Sequence, residues 1–348
     1  MDSIETKVAA LIQKMSLLDK IGQLSLVSSN GGIVSDELRE AVSRGCIGGL
    51  LNEVDINTVN TLQKIAVEES KHGIPLLLGR DVIHGFKTIF PIPLGLAACW
   101  NTEIAKECGR ISAIEASAAG INWTFAPMVD ISRDPRWGRI AESFGEDVYL
   151  TSQYARAMVE GIQGKNLADP TSIAACVKHF AGYGASESGK DYNTTNIPEN
   201  ELRTVHLPPF KAALDAGAVS LMPSFSDLDG IPASGNQFLL TQILREEWKF
   251  KGFVVSDWES ISQLSVHGLT RDDKESAHEA VNAGIDMEMT SRTYAEHIAE
   301  LIDENKISIE QLDKMVSNIL RVKFMLGLFD NPYKCSEANK AVFSDLKN

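Results

Sequence analysis

The 348-residue sequence is poor in everything that would place it in a membrane, on a nucleic acid or around a metal. No apolar run approaches the roughly 18 residues a membrane-spanning helix needs. The first residues, Met1-Asp2-Ser3-Ile4-Glu5, are acidic where an export leader would be basic and then apolar. This predicts a cytoplasmic protein, or a periplasmic or secreted one whose leader has been removed. No basic stripe is present to neutralise phosphates, and the net charge is −14, so nucleic acid is not an expected partner. An acidic surface repels anions and suits neutral substrates such as sugars. Five cysteines are scattered without CxxC spacing, and the seven histidines form no HExxH pattern. Neither a disulfide framework nor a zinc site is expected. The stretch Gly184-Ala185-Ser186-Glu187-Ser188-Gly189-Lys190 has phosphate-loop spacing, but Asp191 replaces the Ser or Thr that would hold Mg²⁺. No cofactor and no metal are expected.

What is there is a regular alternation. Short runs rich in Val, Ile and Leu fall at 23–27, 48–51, 75–79, 123–129, 174–179, 219–225, 252–257 and 284–289. Most are followed by amphipathic stretches. The spacing predicts helices over 4–18, 56–71, 102–119 (capped by Asn101 or Thr102), 146–162, 200–216 (broken at Pro208-Pro209), 239–248, 274–283, 294–305 and 308–326 (capped by Ser308). Strands alternating with helices imply a parallel sheet. Eight units in this length fit a closed, TIM-type (β/α)₈ barrel, irregular in places, over residues 1–333. An open doubly wound sheet is the alternative. Residues 334–348 break the alternation and read as a linker or the start of a further domain.

In such a barrel, functional groups gather where strands end. Here the runs end in Arg80-Asp81, in Asp130 followed by Arg133-Asp134-Pro135-Arg136-Trp137-Gly138-Arg139, in Lys178-His179, in Ser256-Asp257-Trp258 and near Glu288. Asp257 follows Phe253-Val254-Val255, which puts its carboxylate at the barrel mouth. It is a candidate nucleophile, with Arg139 and Lys178 as cations that would hold its pKa low. It could equally cap the next helix. Lys178 and His179 can both donate to hydroxyls, or be an ion-paired lysine and a core histidine. Asp81 can grip two adjacent hydroxyls, or bind Arg80 or another arginine. Trp258 and Trp137 offer flat faces for a pyranose, or buried area.

Four motifs together resemble the N-terminal domain of glycoside hydrolase family 3, above all its bacterial β-glucosidases. They are the run 133–139 with Glu142-Ser143-Phe144-Gly145-Glu146-Asp147, then Val177-Lys178-His179-Phe180-Ala181-Gly182-Tyr183-Gly184, Asp191-Tyr192-Asn193, and Val255-Ser256-Asp257-Trp258. The resemblance extends from Met15 to Tyr333. It implies a retaining β-glycosidase acting on terminal non-reducing β-D-glucosyl residues through a covalent glycosyl-Asp257 intermediate. Asp81, Arg139, Lys178 and His179 match sugar-binding residues, Trp258 an aromatic beside the nucleophile, and Met222 a wall of the same pocket. Phe225 stands where some members have Tyr. In the multidomain β-glucosidases the general acid/base comes from a second domain. In the single-domain N-acetylhexosaminidases it is a His in a Gly-His-Gly pattern, which here reads Gly182-Tyr183-Gly184. The expectation is therefore a β-glucosidase barrel whose acid/base belongs to a partner domain, or is replaced by Glu187 or Glu259. A carbohydrate-binding barrel without turnover and a hexosaminidase are the alternatives.

Overall fold

Ser16 divides the first helical stretch in two. Its hydroxyl accepts from Asp19 N while its own N–H donates to the Asp19 carboxylate, a reciprocal cap that starts a new helix. Helices Ile4–Ile12 and Leu17–Gly22 therefore replace the single helix expected over 4–18. These details come from a computed structural model that describes residues 3–29 and 31–333. The linker expected over 334–348, with Cys335, lies outside the described residues.

All eight expected strands form, most of them shorter than their apolar runs: β1 Ser25–Ser28, β2 Gly49–Leu51, β3 Leu77–Arg80, β4 Trp123–Thr124, β5 Ala174–Phe180, β6 Ser220–Pro223, β7 Phe253–Trp258 and β8 Met287–Met289. Each pairs in parallel with its neighbours in chain order, and β8 pairs with β1 through Ser25↔Glu288 and Leu26↔Met289. That pairing closes the barrel and excludes the open sheet. The expected irregularity is concentrated at β4, which keeps two residues and then meets β5 again through Cys176 N donating to Ala126 O and a Met128–Lys178 bridge. A short antiparallel hairpin, Asp227–Leu228 with Ile231–Pro232, follows β6.

Helices cover the outer face of the strands and side chains fill the inside of the barrel, so all seven residues of β5 are buried. Inside, Trp123 fills the barrel edge-on to Phe125 and Phe253, and its indole N–H donates to Ser220 Oγ at 2.8 Å. Several helices begin where sequence placed them. Asn101 caps Thr102–Ala118, and Ser308 with Gln311 boxes the start of Ile309–Met325. The expected break near Pro208-Pro209 takes the form of a π turn, Leu202–His206, leading into Leu207–Asp215, whose first turn needs no proline N–H. No helix among the described residues is long and apolar enough to cross a membrane.

Candidate active site

The end of β7 is held to β8 before it reaches its acid. Ser256 Oγ accepts from Met289 N at 2.8 Å and donates to Asp257 O at 2.9 Å. The Asp257 side chain then turns into the barrel mouth. Its Oδ1 accepts from Trp258 N at 2.7 Å, while Oδ2 is buried with no hydrogen-bond partner among the described residues. The carboxylate thus binds its own following N–H and caps no helix.

Strand β5 delivers two groups beside it. Lys178 Nζ, almost wholly buried, lies 2.6 Å from Asp81 Oδ1, which stands at the end of β3 and is more than half exposed. The partner of Asp81 is therefore this lysine rather than Arg80. His179 points its Nε2 at Asp257 Oδ2, 3.8 Å away, and sets its Nδ1 2.9 Å from Asp130 Oδ2. The same Asp130 oxygen accepts the His179 backbone N–H, also at 2.9 Å. The Lys178–His179 and Phe180–Ala181 peptides are cis.

Arg139 enters from the 3₁₀ turn Gly138–Glu142 after β4. Its guanidinium makes a two-pronged contact with Glu142, at 2.7 and 3.1 Å, and lies 5.6 Å over the Tyr183 ring. The Gly-Tyr-Gly loop allows this. Gly182 adopts φ +90°, and a Cβ on Gly184 would fall 2.3 Å from Ile131 O. Tyr183 is thereby laid edge-on to both His179 and Trp137. Phe225 continues the wall, with the Tyr192 ring 4.5 Å away and tilted 45° to it. Met222 is buried on β6, in register with Lys178. Trp258 stays 43% exposed at the mouth, the one tryptophan of the pair free to meet a sugar face. Trp137 is not: it is buried and donates to Asp191 Oδ1 at 3.0 Å, joining the loops after β4 and β5.

Burial decides the protonation states. It pushes Asp257 up to about 6, against the pull of Lys178, the Trp258 N–H and Arg139. The expectation that cations would keep this carboxyl low is thus overturned. Burial also pushes Asp130 up to about 7, and it holds His179 well below the usual histidine range, with the charges of Arg139 and Lys178 acting the same way. A neutral imidazole therefore sits between two acids that are easily protonated.

The sequence singled out Asp81, Arg139, Lys178, His179 and Asp257, and the fold brings all five to one mouth. Glu288 does not join them. Its carboxylate turns into its own βα turn and accepts from Ser291 Oγ, Tyr294 N and Ala295 N. Glu187 is occupied by Asn196, and Glu259 is exposed just beyond Trp258. Three contributors went unassigned from sequence: Asp130, Tyr183 and Tyr192. Asp130 ends an otherwise apolar run, and that was the available signal. Among the described residues no group of three or more His, Cys, Asp or Glu side chains is placed to hold a metal, and Cys46, Cys99, Cys108 and Cys176 are free thiols.

The family model for the glycosyl hydrolase family 3 N terminal domain matches residues 16–322. The chain belongs to this family. Among family 3 relatives, it is 43% identical over 326 residues to the periplasmic beta-glucosidase of Salmonella typhimurium, covering 94% of this chain and 43% of that protein. It is 35% identical to the lysosomal beta glucosidase of Dictyostelium discoideum, covering 96% of this chain and 45% of that one. The beta-glucosidase of Listeria innocua, solved with isofagomine, superposes with a TM-score of 0.89 at 39% identity over 96% of this chain and 47% of that one. This family 3 barrel thus spans less than half the length of those three relatives.

Proposed function

We propose that this barrel binds the glycone and carries the nucleophile of a retaining β-glucosidase that removes terminal non-reducing β-D-glucosyl residues. The observation that carries the reading is the Asp257 Oδ2 oxygen: buried at the barrel mouth, without a hydrogen-bond partner among the described residues, and 3.8 Å from His179 Nε2. A carboxylate oxygen left free in a pocket is what attack on an anomeric carbon requires. Attack forms the Asp257–C1 ester bond as the bond from C1 to the leaving oxygen breaks, and water later returns the sugar and the free carboxylate. Asp81, Lys178, Arg139 and His179 grip the glycone hydroxyls. Met222 and Phe225 wall the pocket, and Trp258 offers a face to the sugar at its entrance.

The second carboxyl group, which should stand about 5–5.5 Å from the nucleophile, is proposed to come from outside the barrel, in a part of the protein corresponding to the further length of its relatives. In support, Glu187 is already engaged by Asn196 and Glu259 lies exposed beyond Trp258. A general acid contributes about 10²–10⁴-fold, chiefly by protonating a poor leaving group. A substrate with a good leaving group bypasses that need.

The test is trapping with 2,4-dinitrophenyl 2-deoxy-2-fluoro-β-glucoside, read by intact mass. One fluoroglucosyl adduct is expected on the wild-type chain, located at Asp257 by peptide mapping, and none on Asp257→Asn. An adduct that persists in that variant refutes the assignment.

A further inference from the structure

The sequence leaves His179 able to donate to a sugar hydroxyl, but its surroundings point the other way. We infer that Asp130 is a positioning residue that keeps the single ring proton of His179 on Nδ1, so that Nε2 faces the sugar pocket as a hydrogen-bond acceptor. The inference rests on the glycone-binding reading above and adds the direction of one of its hydrogen bonds.

Three observations support it. Asp130 Oδ2 lies 2.9 Å from His179 Nδ1 and 2.9 Å from the His179 backbone N, so one oxygen collects both donors of the same residue. The backbone N–H can only donate, which fixes that oxygen as an acceptor. Oδ2 accepts at both contacts whether the carboxyl is ionised or carries its proton on the partnerless Oδ1, and the ring hydrogen then belongs on Nδ1. Asp130 and His179 are both almost wholly enclosed, so no water competes for the Nδ1 contact. On the far side, Nε2 and Asp257 Oδ2 stand 3.8 Å apart, beyond hydrogen-bond range. Two lone pairs facing each other across that gap repel and leave room for one O–H to insert its hydrogen. A glycone hydroxyl is the donor this slot selects. Lys178 and the Arg139 guanidinium, which can only donate, cover the acceptor side of the hydroxyls.

The inference predicts a different result for two substitutions of the same acid. In Asp130→Asn the backbone N–H still requires an oxygen at the shared position, so the amide oxygen takes it and the proton stays on Nδ1. In Asp130→Leu neither contact survives and the ring is released. Carboxylates that orient a metal-binding histidine from behind matter by roughly 10- to 100-fold, and the same scale is taken for His179.

The measurement is a long-range ¹H–¹⁵N correlation spectrum of the histidine-labelled chain, with His179 assigned through His179→Gln. Wild type and Asp130→Asn are expected to show a protonated Nδ1 and a bare Nε2, and Asp130→Leu to lose that pattern. The rate of fluoroglucoside trapping should fall roughly 10- to 100-fold in the Leu variant and be largely restored in the Asn variant. A wild-type His179 protonated on Nε2, or on both nitrogens, overturns the inference. So does a folded Leu variant with the wild-type spectrum and trapping rate. If the Leu variant does not fold, the wild-type and Asn spectra decide. The tautomer is read without any reaction, so a missing adduct would remove the nucleophile assignment and leave the spectrum as a separate result.

Discussion

Lys178 and Asp81 form a pair, 2.6 Å apart, in which the cation is buried and the anion is more than half exposed. The lysine is thus held from behind by strand β5 while the carboxylate keeps one oxygen open to the mouth. Asp81 has two tasks, neutralising Lys178 and offering an acceptor to a ligand. Replacing it by Ala removes a charge-assisted hydrogen bond to a bound sugar, worth about 1.5–3 kcal/mol. Calorimetry with isofagomine should therefore show affinity falling roughly 10- to 150-fold. The fold should also lose stability, because Lys178 is then left buried without its carboxylate partner. Equal affinity in Asp81→Ala and wild type would remove Asp81 from the sugar site.

The strand ends made much of this site readable in advance. Phe253-Val254-Val255 is a run too apolar to lie anywhere but inside, so the acid after it had to emerge at a rim. The same logic placed Asp81 and Lys178-His179. It failed for Glu288, which ends β8 in the same way yet caps the following turn. Whether a strand-end carboxylate faces the barrel axis or its own helix depends on how the backbone turns after the last paired residue, and neighbouring residue types do not encode that turn. Asp130 was visible as a strand end, but its partner His179 lies on the next strand, and only the loop between them sets that contact. Closure of the barrel joins Ser25 to Glu288, from opposite ends of the chain, beyond the reach of any local pattern. The sign of the Asp257 shift was also missed. Cations can be counted in a sequence, whereas the depth at which the acid sits cannot.

Because burial raises Asp257 to about 6, its ionisation has a measurable pH signature. Trapping should rise with pH through about 6 and level off near neutrality, since only the carboxylate attacks. Lys178→Met removes a cation that favours the ionised form and should move the midpoint upward. Stability should run the other way. The folded-state value lies above the ordinary 3.8, so the folded chain binds the proton more tightly between these values. The stability this gives is complete below about 4 and is lost as pH rises through about 6. Asp257→Asn, which never ionises, should therefore exceed wild type in stability near pH 7.5, by up to about 3 kcal/mol, with the gap closing toward pH 4. Urea unfolding at the two pH values checks this, and a gap independent of pH would show that the site imposes no such cost.

At the opposite end of the barrel, Lys323 is wholly buried and donates to Gln23 Oε1 at 2.7 Å and Gly48 O at 2.9 Å, just ahead of β1 and β2. Both partners are neutral. Burial pushes this lysine down to about 7, well under the ordinary 10.5. The unfolded chain therefore binds the proton more tightly between these values. The charged lysine costs the fold most below about 7, on the order of 5 kcal/mol, and the cost fades as pH rises toward 10.5. Wild type should gain stability relative to Lys323→Met between pH 6.5 and 9, by about 2–3 kcal/mol. Near pH 6 the Met variant escapes the charging cost but leaves two buried acceptors without a donor, about 1–3 kcal/mol each, so the two effects largely offset there. The slope of the difference against pH isolates the charge from the packing. Urea titrations of both proteins across that range measure it, and parallel curves would mean that Lys323 is neutral or hydrated throughout.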